Sequence, residues 1–131
     1  MAQTRSELRE KIMIVLYQIE IYKSNKIKYD IDTVISENVD IENDFIKDIV
    51  YGVMTHQNDL DLLADKYMLD WSISRIDKSG ASILRMATYE LKYTDTPEIV
   101  VINEAVELAK KYCDDSVRKI INAVLDRMIR E

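Results

Sequence analysis

The chain has one histidine, His56, and one cysteine, Cys113, and they lie 57 positions apart with no serine, aspartate or second ligand in a familiar frame around either. Nucleophilic and metal-assisted catalysis both need such groups at set spacings, and no HExxH, CxxC or EF-hand loop occurs. Only Gly52 and Gly80 are glycines, so no glycine-rich loop can cradle a phosphate. The acidic pairs Asp114-Asp115 and Asp59/Asp61 could hold a hard cation, but helix caps and wet helix faces explain such pairs more simply. No enzyme, cofactor or metal is expected. Binding has better material. Eight tyrosines and one Trp offer flat faces, and Arg5, Arg9 and Lys11 cluster at the amino end. Aromatic rings with basic side chains are the usual means of holding single-stranded RNA. Against this, Glu7 and Glu10 interleave with the cations, and Tyr17, Tyr22 and Tyr89 suit the rim of a core equally well.

Charge is unevenly spread. Residues 1–28 hold six Lys/Arg against three acids, residues 29–70 eleven acids against two lysines, and residues 71–131 ten of each, for a net charge of −6. Nucleic acid could therefore be met only locally, at the basic end. With 131 residues, 47% hydrophobic and 32% charged, one globular domain over 1–131 is expected. The lone cysteine suits a reducing cytoplasm, and a charged first ten residues argue against a cleavable leader. No apolar run is long enough to span a bilayer, so no membrane partner is expected.

The elements that must position these residues are helices. Glycine and proline are nearly absent, and all-β folds need them for turns. "SELREKIMIVLYQIEIYK" spaces Leu8, Ile12, Val15, Leu16 and Ile19 helically, with Thr4 or Ser6 as cap. A short helix is expected near 32–37. A longer one is capped by Asn43 or Asp44 and interrupted at the polar His56-Gln57-Asn58, after which Leu60, Leu62, Leu63 and Tyr67 carry the pattern on. "LDWSIS" reads as a corner anchored by Trp71. Beyond it, Ile83, Leu84, Ala87 and Leu91 face inward. In "VVINEAVELAKKY", with Thr96-Pro97 opening the helix, Ile99, Ile102, Val106, Ala109 and Cys113 share a stripe. Asn103 and Glu104 fall on the wet half, and Glu107 is spaced to pair with Lys111. The last helix takes Asp115 or Ser116 as cap, with Asn122 among its apolar residues as a satisfied polar group. Six or seven helices and no strands make an all-α bundle. An apolar stripe can face a core or a second copy, so a homodimer stays open.

Taken together, these segments resemble the NusB transcription-antitermination family. "LREKIMIVLYQIE", with Leu16-Tyr17, resembles that family's first helix. "ILRMATYEL", carrying Arg85, Tyr89 and Glu90, is similar to its Ile-Leu-Arg-x-Ala-x-Tyr-Glu-Leu segment. "VVINEAVELAKKY", carrying Asn103 and Glu104, follows a second family segment nearly letter for letter, and "IINAVLD", with Asn122, resembles its closing motif. The resemblance implies a helical bundle without enzymatic activity that pairs with the ribosomal protein NusE, holds boxA RNA of nascent ribosomal transcripts, and works within an RNA polymerase antitermination complex. It places the RNA on Arg5, Arg9 and Tyr17, with Tyr67 alongside. Three departures stand out: Ser6-Glu7 interrupt the arginine-rich start, Gly80-Ala81 replace an acid-base pair, and Ile120 and Ala123 replace an aromatic and a glycine. They leave a second function open, a helical protein-interaction module of the same ancestry that no longer reads RNA.

Overall fold

A computed structural model describes residues 3–131. Among them are six helices and no strand: α1 (Arg5–Ser24), α2 (Ile31–Asn38), α3 (Asp44–Lys66), α4 (Lys78–Tyr93), α5 (Glu98–Tyr112) and α6 (Asp115–Arg130). Four of the six starts, those of α1, α2, α3 and α6, carry a side-chain cap. Thr4 caps α1 in a reciprocal box, its hydroxyl accepting from Glu7 N–H at 3.1 Å while Glu7 Oε1 accepts from Thr4 N–H at 3.1 Å. Asp30 takes the Thr33 N–H of α2, and Asn43 takes the Ile46 N–H of α3. Asp114, rather than Asp115 or Ser116, caps α6 through the Val117 N–H, and Pro97 itself sits at the cap of α5, one residue later than its sequence suggests.

The polar stretch around His56 does not end a helix. α3 runs through it with a kink, His56 standing at φ −107° and ψ 15°. Leu60 and Ala64 beyond the kink are fully buried, and their burial holds the second half in line, although Leu62 faces solvent.

α4 is the central element. It packs against α1, α3, α5 and α6, and every residue from Gly80 to Thr88 is buried. Gly80 explains one sequence departure, because a Cβ there would stand 2.7 Å from Val117 Cγ1 of α6, so the missing side chain lets that helix close in. Ile12, Ile19, Ile46, Leu60, Ile83, Leu84, Ile121 and Leu125 meet in one continuous core. Burying each such side chain stabilises the fold by roughly 1.5–3 kcal/mol.

Four expectations are corrected by packing. Trp71 is 44% exposed, and the corner is anchored by buried Ile73 and Ile76 instead. Ile99 is 66% exposed, since the inward stripe of α5 centres on Val101, Ala105 and Leu108. Asn122 points to solvent and fixes no core register. Glu107 pairs with Lys110, while Lys111 reaches across to Glu10 of α1.

Candidate nucleic-acid interface

The amino end of α1 lies beside α3, the end of α4 and the start of α5, and between them opens a groove of about 1060 Å³. The structure gathers Arg5, Arg9, Tyr89 and Glu104 there, with Glu90 directly behind. The two arginines have opposite surroundings. Arg5 is exposed, its guanidinium 3.9 Å from the centre of the Phe45 ring, a cation–π post at the groove mouth. Arg9 is only 4% exposed and donates through Nε to both Glu90 oxygens, at 3.1 and 3.0 Å, with Glu90 itself 1% exposed. Its Nη1 lies 4.0 Å from Glu104 Oε1, which also accepts from the Ser6 hydroxyl at 2.6 Å. The phosphate contact expected of Arg9 is therefore unavailable in this conformation: its charge is matched internally by acids from two other helices.

This network accounts for the polar pairs in the sequence. Glu90 and Glu104 tie α4 and α5 to the first turns of α1, while Asn103, next to Glu104, stays exposed. Arg85 plays a similar part lower down, gripping Asp61 of α3 at 2.7 and 3.0 Å and standing 3.8 Å from Glu20 of α1.

The far wall of the groove is aromatic. His56 and Tyr93 stack with ring centres 4.4 Å apart and planes 21° apart, and Tyr89 tilts onto Tyr93 at 5.1 Å. Tyr89 can reach this place only because Gly52 of α3 has no side chain, since a Cβ there would overlap the tyrosine ring. Sequence reasoning places none of Phe45, Gly52, His56 and Tyr93 at a binding surface. The i, i+4 spacing of Tyr89 and Tyr93 was the available signal, because it stacks two rings on one helix face.

Tyr17 and Tyr67 lie outside this groove. Tyr17 is half-buried against the core, and Tyr67 is buried, its hydroxyl donating to Glu131 while its carbonyl accepts from Arg127 at 2.6 Å. Near Tyr67 a smaller hollow joins Leu69 and Trp71 to Lys119, Ile120 and Arg127 of α6. Arg75 sits 5.2 Å from the Trp71 ring, held by the Asp70 carbonyl at 3.2 Å. No acidic residue lines this hollow. Among the described residues no group of three or more His, Cys, Asp or Glu could hold a metal ion, and no helix is long and apolar enough to cross a membrane.

Comparison with known proteins follows the same lines. A model of the NusB family matches residues 6–130. The transcription antitermination protein NusB of Staphylococcus epidermidis is 40% identical over 126 residues, spanning 95% of this chain and 98% of that relative. The solved T. maritima NusB superposes with a TM-score of 0.86 at 28% identity, covering 100% of this chain and 94% of the other. A structure of the antitermination factors NusB and NusE in complex with dsRNA matches with a TM-score of 0.81 at 24% identity, covering 96% of each chain, which speaks for the fold. A match over nearly the whole length, in sequence and in helix packing alike, makes this chain a member of the NusB family.

Proposed function

We propose that this protein is a transcription antitermination factor that grips boxA-type single-stranded RNA of nascent transcripts together with NusE, within an RNA polymerase antitermination complex, and that it works by binding rather than by catalysis. Family membership supports the activity and the partner. The observation that carries the RNA contact is Arg5: exposed, stacked on Phe45, and with no carboxylate within ion-pair distance among the described residues, at the mouth of a groove walled by aromatic rings. Arg5 meets a phosphate, and Arg9, locked to Glu90, positions the helix turn that carries it. The hollow of Trp71, Lys119 and Arg127 beside Tyr67, with Arg75 over the Trp71 ring, offers a second cationic and aromatic foothold. Tyr17 contributes at its exposed edge.

Titrating labelled boxA RNA with and without NusE, at several salt concentrations, tests the assignment. Arg5→Ala should weaken binding and reduce the salt slope by about 0.7, the value for one phosphate contact on a single strand. An Arg5→Ala protein that binds like the parent in the presence of NusE would remove Arg5 from the interface.

The second function, a protein-interaction module without RNA reading, is favoured by one feature: Asp48, Asp95 and Glu104 share the groove with Arg5 and Arg9. It predicts a stable complex with NusE and equal affinity for boxA and a scrambled RNA of the same length. A boxA-specific gain in affinity on adding NusE excludes it.

A further inference from the structure

The groove is a poor track for a polyphosphate chain. Arg9 is neutralised by Glu90 and Glu104, Lys47 is paired with Glu42, and the carboxylates of Asp48 and Asp95 stand exposed in the lining. Phosphates would be repelled from such an interior. A neutral ring would not. The far wall presents the Tyr93 ring, 40% exposed and backed by His56 on its stacked side. An unpaired base stacks on a supported aromatic face of this kind, and carboxylates accept hydrogen bonds from exocyclic amino groups, as they do from cytosine N4. One cation, Arg5, stands at the mouth over Phe45, and a second, Lys92, reaches over the Tyr93 ring from outside the lining, its Nζ 5.5 Å from the ring centre. The volume of about 1060 Å³ matches the upper end of small-ligand pockets, roughly 300–1,000 Å³, and so has room for a base with its sugar.

We propose that the groove between α3 and the α4–α5 turn is a subsite for one unstacked nucleobase of the bound RNA, seated on the His56–Tyr93 stack and selected for an exocyclic amino group by Asp48 and Asp95, with the flanking phosphates left at Arg5 and Lys92. This rests on the RNA-binding function proposed above and adds to it a specific base contact. It also gives the groove's acids a use, since they exclude the backbone while accepting the base.

The test uses the full chain with NusE and a boxA RNA carrying 2-aminopurine at one position at a time. Stacking on Tyr93 should quench the fluorophore at a single position, and Tyr93→Ala should abolish that quenching and weaken binding roughly ten-fold. Tyr93→Phe, which keeps the ring, should restore both. Replacing the amino-bearing base at the quenched position by one without the group should cost the parent several-fold in affinity, and cost an Asp48→Asn/Asp95→Asn variant much less. If Tyr93→Ala binds RNA like the parent while Arg5→Ala does not, the subsite is refuted and the RNA-binding function stands. If Tyr93→Ala loses NusE and keeps RNA, the groove receives protein, and the subsite is again refuted. A folded parent that binds no RNA even with NusE overturns both. Thermal unfolding of each variant identifies any that fails to fold, and the Tyr93→Phe result then decides.

Discussion

Arg9 and Arg5 lie one helical turn apart and differ in what holds them. Arg9 and Glu90 form a nearly solvent-free pair, and removing one partner of such a pair strands the other charge. Glu90→Ala is expected to cost about 3–5 kcal/mol, read from urea unfolding, whereas a paired Arg9→Met/Glu90→Leu replacement should cost far less. Equal losses in the two variants would mean that the charges matter individually and not as a pair. Cys113 gives a second prediction at this scale. Burial first, then the nearby Asp77 and Asp114 carboxylates, push its thiol up to about 11. Only the thiolate attacks alkylating reagents, so labelling at pH 8 should run roughly ten- to a hundred-fold slower than for an exposed cysteine and quicken as pH climbs toward 11. Ordinary reactivity at pH 8 in the folded protein would contradict that burial.

At the scale of elements, α3 shows how a helix can bend to form the wall of a groove. Its kink at His56 turns that ring onto Tyr93, and Gly52, one turn earlier, clears the space for Tyr89. Gly52→Ala sets two effects against each other. Alanine favours a helix interior by about 1 kcal/mol, but the overlap with Tyr89 costs about 1–3 kcal/mol. Overpacking wins, and the variant should be less stable by up to about 2 kcal/mol, with the Tyr89 and Tyr93 ring resonances displaced in NMR spectra. Asn43→Ala, which strips the α3 cap, should cost about 1 kcal/mol without moving those resonances. Much of this element structure was legible beforehand, because caps and apolar spacing are local. The start of α1 and the inward face of α4 could be read from Thr4 and from Ile83, Leu84 and Ala87. The candidate site was legible only in part. Arg5 could be picked out by type, but nothing in the spacing of residues 9 and 90 says that they pair, and a glycine inside a helix does not announce which ring crosses it. Such facts arise from tertiary packing, which also turned Trp71 and Ile99 outward.

For the molecule as a whole, the acidic surface ties stability to pH. Glu10 is held below the ordinary carboxylate range by hydrogen bonds from Lys111 and then Tyr112, Asp114 by the Val117 N–H, and Glu131 by the Tyr67 hydroxyl. A carboxylate whose folded pKa is depressed stabilises the fold above its unfolded value, near 4, and that contribution is lost as pH falls through the folded value. Urea midpoints should therefore be level from pH 7 to about 5 and drop steadily below about 4. A midpoint unchanged at pH 3 would show that these bonds add nothing. The placement of α4 bears on speed as well as strength. Tyr89 and Tyr93 ride on the end of a helix enclosed by four others, so their backbone is fixed before any visitor comes. The base subsite proposed above therefore needs no loop to order and little entropy to surrender, so capture should be governed by encounter, fast on arrival and insensitive to solvent viscosity beyond its effect on diffusion.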